Sequence, residues 1–402
     1  MQSNYKMLTT NDLMEKSMQS LQSDVFDFIS GGAGNEWGLS NNINAFQRYQ
    51  IVPRVLQKTE TIDTKVYLFG KEFSNPIMIA PCAFHKLACK EGELATCRAA
   101  AKTNTIFTLS TMSSFSIEEV ASASTSEKWF QLYVYKNKKI TQDLIKRAEN
   151  SGYTALVITV DLPAMGMRMR DIKNKFSLPA SVEAANFLSV GLSSISEKSD
   201  GSRVKEHTDQ QFEANLGWDS IDWLCSVTRL PVLLKGILNA EDAIEAQHHK
   251  IAGIIVSNHG GRQIDNVISP LDALPEIARA VNNKLPLIVD GGIRSGEDVF
   301  KAVALGATAV MIGRPVLWAL SVGGEEELSG LLSRLQNELS LTMRLAGCNS
   351  LQIIRERGLS LLSSETIFSQ KLLEIFKSRN INTQEETAKN IPHSSFFRKS
   401  AL

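Results

Sequence analysis

The sequence predicts an α/β fold: a (β/α)8 barrel of the TIM type, with a helical segment before it and a long loop after its fourth strand. Three observations carry this. Eight short apolar runs recur between residues 76 and 314, each the length of a strand buried on both faces. Helical patterns lie between them. Polar residues gather where each run ends, the face on which such barrels carry their chemistry. A doubly wound sheet is the alternative, but no Gly-x-Gly-x-x-Gly follows the first run, and eight repeats favour closure.

In chain order, residues 1–70 read as a helical or irregular segment packed on the barrel. Thr10 or Asn11 is positioned to cap a helix through Leu13, Met14, Met18 and Leu21. Gly31, Gly32 and Gly34 then end that helix in a turn with neither P-loop nor dinucleotide spacing. The barrel is expected over 71–350. Its strand candidates are 76–80, 106–110, 129–135, 155–161, 231–236, 253–258, 286–292 and 309–314. Their starts are 22–33 residues apart, except for a gap of 76 between the fourth and fifth. Helical patterns at 90–103, 116–123, 141–150, 240–249, 271–281 and 295–305 fill the intervals, and Ser116-Ile117-Glu118-Glu119 resembles a capping box. The long gap contains 177–217, rich in Ser, Asn, Glu, Lys and Asp, which is expected to be a variable lid loop. Its apolar piece, 187–192, is too short for membrane attachment. An amphipathic helix follows at 325–345. Residues 351–402 form a C-terminal extension, with a weak helical pattern at 368–376 and then a polar, partly disordered tail.

The totals narrow the function. The chain has 402 residues, 43% hydrophobic and 21% charged, with 43 basic and 43 acidic side chains. That balance gives no general attraction to nucleic acid or to a membrane. No apolar run approaches the roughly 20 residues of a membrane span. Five cysteines without a close pair suit a reducing compartment, so a cytoplasmic location is expected. The terminal Lys399-Ser400-Ala401-Leu402 is not the Ser-Lys-Leu address. No metal-ligand spacing stands out.

The chemistry centres on Ser257-Asn258-His259-Gly260-Gly261-Arg262-Gln263, directly after the sixth run. His259 can move a proton near neutral pH. Arg262 offers a cationic fork to a carboxylate or phosphate, and the glycines let backbone approach a ligand. A base and an anion clamp on one turn suggest a small anionic substrate that loses a proton. The other strand ends supply Ala83, Ser110, Gln131, Tyr133, Thr159, Asp161, Arg168 and Lys235. Asp290-Gly291-Gly292-Ile293-Arg294 and Gly313-Arg314 follow the seventh and eighth runs, where barrels commonly bind phosphate.

These stretches, with Gln131-Leu132-Tyr133, Thr159-Val160-Asp161 and Asp171-Ile172-Lys173-Asn174, resemble the FMN-dependent 2-hydroxy acid oxidase and dehydrogenase family, which includes glycolate and lactate oxidases. The resemblance covers about Leu8 to Cys348. It implies FMN surrounded by Ala83, Ser110, Gln131, Thr159, Lys235, Ser257, Asp290, Gly292, Arg294, Gly313 and Arg314. Lys235 would stabilise the negative charge of reduced flavin. It implies His259 as the catalytic base and Asp161 as its partner. Arg262 and Arg168 would bind the substrate carboxylate, and Tyr133 would bond its hydroxyl. It also implies a homotetramer.

Three positions depart from the family pattern. Phe28 stands where members have a tyrosine that helps hold the carboxylate; such a charge-assisted bond contributes roughly 1.5–3 kcal/mol. Met112 stands where glycolate oxidases have tryptophan, which opens room for a larger or apolar substituent. Cys82 replaces a flavin-side threonine. The expected activity is oxidation of an (S)-2-hydroxy acid to the 2-oxo acid, by proton removal from carbon or from the hydroxyl. Ala83 leans the acceptor toward O2, with a quinone or other carrier as the dehydrogenase alternative. An FMN isomerase and a non-catalytic FMN-binding protein are the remaining alternatives.

Overall fold

The computed structural model describes residues 9–190 and 203–364. Eight parallel strands close into a barrel: β1 (Ile77–Ile79), β2 (Ile106–Leu109), β3 (Lys128–Leu132), β4 (Leu156–Thr159), β5 (Val232–Ile237), β6 (Gly253–Val256), β7 (Leu287–Asp290) and β8 (Ala309–Ile312). Each lies within or against a predicted apolar run. The closing register sets Val310, Met311 and Ile312 of β8 beside Ile77, Met78 and Ile79 of β1. These runs are buried along their whole length, which is why they read as unbroken apolar stretches instead of alternating ones.

The leading segment holds α1 (Thr10–Ser20), α2 (Ser23–Ser30) and α3 (Trp37–Gln47). Two readings need correction here. The cap of α1 is Thr9, whose hydroxyl accepts from the Asp12 N–H while the Asp12 carboxylate accepts from the Thr9 N–H. Thr10 is buried instead, donating to the Arg294 carbonyl at 2.6 Å and accepting from Arg334. The one expected helix is also two, because Leu21 and Gln22 are extended. Gly31 ends α2 as expected. Two small antiparallel pairs accompany these helices. Val66–Leu68 and Lys71–Phe73 form a hairpin through Phe69 and Gly70, both at positive φ, the geometry of a type I′ turn. Gln50–Ile51 pairs with Leu362–Ser363.

The barrel helices are α4 (Gly92–Lys102), α5 (Ile117–Ser122) and α6 (Lys138–Asn150). Ser116 caps α5 in the expected box. The long interval after β4 carries α7 (Met169–Lys173), α8 (Arg203–Gln211) and α9 (Trp218–Val227). Then come α10 (Ala240–Ala246), α11 (Pro270–Val281), α12 (Gly296–Ala304), α13 (Arg314–Ala346) and α14 (Leu351–Arg357). The expected helix at 325–345 is the second half of α13, which breaks at Gly323 and Gly324. The helical pattern at 368–376, the tail after it, and residues 191–192 of the short apolar piece lie outside the described residues.

Candidate active site

β6 delivers Ser257, Asn258 and His259 to one rim of the barrel. Asn258 exchanges two amide bonds with Asn42 of α3, at 2.8 and 2.7 Å, and also accepts from the Gly261 N–H. That pair seats the leading segment on the site. His259 has φ 58°, followed by Gly260 and Gly261 at 65° and 72°. A side chain at Gly261 would meet the Leu39 backbone nitrogen at 2.7 Å, so this turn packs too closely on α3 for anything but glycine. Left-handed backbone at a histidine costs about 1–3 kcal/mol. Two contacts hold it there: its N–H donates to Ser257 Oγ at 3.0 Å, and its Nδ1 bonds Asp161 Oδ1 at 2.9 Å.

Asp161 follows β4 and lies against Gly236, where the pairing of β5 with β6 slips by one residue. A Cβ on Gly236 would sit 2.6 Å from that of Asp161. The bulge therefore makes room for the carboxylate. Burial pulls the His259 pKa below its ordinary value, opposed by Asp161. Burial alone would raise Asp161, but His259 and Lys235 outweigh it and leave the carboxyl lowered. At neutral pH the pair is a neutral imidazole on a carboxylate. Nδ1 is engaged, so Nε2 is the nitrogen left to take a proton.

Lys235 of β5 is buried, with Nζ donating to Ser257 Oγ at 2.8 Å and lying 3.0 Å from Asp290 Oδ2. Burial acts to lower its pKa, but Asp290 and Asp161 prevail and hold it raised, so it stays charged. Gln131 accepts from Ser110 Oγ at 3.3 Å and donates to Thr159 Oγ1 at 2.9 Å. Gly291 and Gly292 both take φ near 90°. Arg294 lies over the Trp318 ring at 5.2 Å, and burial lowers its pKa to about 10. Arg314 donates to the carbonyls of Ser30, Gly31 and Gly260. Arg262 directs Nη1 to the carbonyls of Phe28 and Gly31, sharing the latter acceptor with Arg314. Arg168 is pulled down to about 9 by burial and by neighbouring Arg262, and its Nε is buried without a partner among the described residues. Burial pushes the Tyr133 phenol up to about 12, so it remains a donor. Phe28 stacks on Phe176 with ring centroids 4.4 Å apart.

One cavity of about 1250 Å³, counting its open mouth, brings these groups together. Its lining includes Phe28, Cys82, Ala83, Ser110, Met112, Gln131, Tyr133, Thr159, Arg168, Lys235, His259, Arg262, Asp290, Gly292, Arg294, Gly313 and Arg314. Asp161 and Ser257 stand behind it, bonded to His259 and Lys235. Sequence reasoning missed Leu162, Met165, Val204, Thr208, Phe212 and Leu317, which also line it. An apolar residue gives no local sign that it faces a cavity; the four-residue spacing of 204, 208 and 212 was the one available hint.

Fold and site together define a closed (β/α)8 barrel whose cavity gathers a histidine held by a carboxylate, a buried lysine and four arginines. The particular family follows from comparison with known proteins. The sequence pattern of the FMN-dependent dehydrogenases matches residues 17–361, and the chain belongs to that family. It is 43% identical over 343 residues to the peroxisomal (S)-2-hydroxyacid oxidase GLO4 of Arabidopsis thaliana, covering 85% of this chain and 93% of that one. It is 43% identical to glycolate oxidase of Spinacia oleracea, over 86% of this chain and 93% of that one. A crystal structure of mandelate oxidase with (S)-4-hydroxymandelic acid superposes with a TM-score of 0.84 at 42% identity, covering 89% and 98% of the two chains.

FMN is the cofactor, and the residues present fit it. Asp290 Oδ1 is buried with no partner among the described residues, an acceptor suited to a sugar-chain hydroxyl. Lys235 supplies a buried positive charge beside it. Arg294 and Arg314 line the same cavity.

Proposed function

We propose that this protein oxidises an (S)-2-hydroxy acid to the corresponding 2-oxo acid, with O2 as the final acceptor. The observation that carries the reading is the neutral His259 imidazole, held by the Asp161 carboxylate and sharing one cavity with Arg168, Arg262 and Tyr133. FMN, when bound, supplies the two-electron acceptor. The protein's part is binding, orientation and proton transfer. Arg262 and Arg168 receive the substrate carboxylate; an anion there offsets the burial and the repulsion from Arg262 that together depress Arg168. Tyr133 donates to the substrate hydroxyl. His259 Nε2 takes the proton, and Asp161 stabilises the imidazolium that results. Lys235, steadied by Ser257, holds the flavin end with Gln131, Ser110, Thr159 and Ala83; Asp290 takes the sugar chain, and Gly292, Arg294, Gly313 and Arg314 hold the phosphate. O2 as acceptor is supported by the oxidase names of the relatives.

The test is anaerobic. The flavin absorbance near 450 nm is followed while glycolate, lactate, mandelate and a long-chain 2-hydroxy acid are added in turn, and air is then admitted. Bleaching by one of them, reversed by air, is the expected result. A yellow protein bleached by none of them would overturn the reading. His259→Gln should keep FMN bound while the rate of bleaching falls by roughly 10²–10⁴. The reading extends to a homotetramer and a cytoplasmic location. The five free thiols suit the latter, and no helix among the described residues is long and apolar enough to cross a membrane. Light scattering on the holoprotein tests the assembly.

A further inference from the structure

We infer that one face of α8, continued by Phe212 just past its end, is the specificity wall of the substrate site and selects 2-hydroxy acids with an extended apolar side chain. This rests on the reading above and names its substrate class. Val204, Thr208 and Phe212 are four residues apart and all line the cavity. Four-residue spacing puts side chains on one helix face. The Thr208 hydroxyl donates to the Val204 carbonyl at 2.8 Å, so what it offers the cavity is apolar. Phe212 stacks on Tyr133, with centroids 4.7 Å apart and planes 20° apart. The wall therefore touches the residue assigned to the substrate hydroxyl. Met112, Leu162 and Met165 continue the apolar lining. Past the carboxylate and hydroxyl partners, a polar substituent would lose water without gaining a bond. A hydrocarbon substituent would be buried, and the two methionines adapt to its length.

The wall is built in place. Lys136, just after β3, donates from Nζ to the carbonyls of Asp209 and Gln210 at 3.0 and 2.9 Å. Its N–H donates to Gln211, and the Glu213 N–H donates to Val134. The Tyr135 hydroxyl bonds His207 at 3.1 Å. These five contacts tie α8 and the residues just after it to the stretch that follows β3 and carries Tyr133. The wall and the hydroxyl partner thus keep a fixed relation.

A straight-chain series from glycolate to 2-hydroxyoctanoate, read on the holoenzyme as kcat/KM for anaerobic flavin bleaching, tests this. The expected result is a rise of roughly fourfold per added methylene until the wall is filled. Calorimetric binding of octanoate should likewise be tighter than that of acetate. Thr208→Asp should lower the 2-hydroxyoctanoate-to-glycolate ratio of kcat/KM at least tenfold. Should that variant fail to fold, Val204→Ala carries the same test by shifting the optimum to a longer chain. Bleaching that is fastest with glycolate and flat or falling along the series would overturn the wall while leaving the oxidase reading intact. Bleaching by no member of the series and not by mandelate would overturn both.

Discussion

Asp161 acts on His259 in two ways that substitution separates. It raises the imidazole pKa against the downward pull of burial, and it compensates the charge formed when Nε2 takes a proton. The base must be neutral to work, so activity is lost as pH falls through the folded pKa, which lies below the ordinary 6.5. Asp161→Asn should move that acid limb to still lower pH and cut the plateau by roughly 10²–10⁴. A pH profile of flavin reduction reads both effects, and an unmoved limb would mean that another group titrates. Phe28 permits a complementary experiment. Its ring is buried in the cavity wall with the Arg262 guanidinium 5.5 Å away. Phe28→Tyr should tighten binding of a small 2-hydroxy acid roughly tenfold or more if the new hydroxyl reaches the carboxylate. Unchanged affinity would mean that the arginines already satisfy that group.

At the scale of the element, α8 carries an acid sensitivity of its own. Burial lowers the His207 pKa to about 4, and its ring sits among Tyr135, Phe187 and Phe212. The folded state disfavours its proton, so its contribution to stability is present above about 6.5 and falls as pH drops toward about 4. Full protonation would cost roughly 3 kcal/mol. His207→Phe should flatten the fall in Tm over that window; an unchanged slope would place the acid sensitivity elsewhere. This element also shows what the sequence could carry. The eight strands were legible because a doubly buried strand is written as a local apolar run. The turn after β6 was legible because His, Gly-Gly and Arg stand side by side. The hairpin at Val66–Phe73 was not, because its strands have three residues each and its turn, Phe69-Gly70, lacks the usual Asn-Gly. The wall on α8 was not, because Val204 and Phe212 meet Met112 and Tyr133 only after some 70–90 intervening residues have folded. Nor does sequence show that Arg314 gives its donors to three carbonyls, since the partners lie far along the chain.

Across the whole molecule, the cavity concentrates positive charge. Lys235, Arg168, Arg262, Arg294 and Arg314 all line it. Burial, together with Arg262 and Arg294, depresses Arg314 well below the ordinary arginine value. An anionic cofactor relieves that repulsion, so FMN should stabilise the fold as well as equip it. Ligand at one hundred times its Kd adds about 2.7 kcal/mol. Tm should therefore rise by several degrees when FMN is added to the FMN-free protein, and by less with riboflavin, which has no phosphate. Equal shifts would mean that the arginine end contributes nothing. The seating of Arg314 on Ser30 and Gly31 reaches beyond the finished protein to the way it is made. The two partners are 283–284 residues apart. At about 5–20 residues per second, a ribosome that has released the first waits roughly 14–57 s before it makes the second. During that time α2 and its glycine turn have no arginine to receive, β1 has no β8 to close against, and FMN has no finished pocket. Loading with cofactor is thus confined to the last stage of synthesis or later, and the early helices must remain soluble until then without the contacts that eventually bury them.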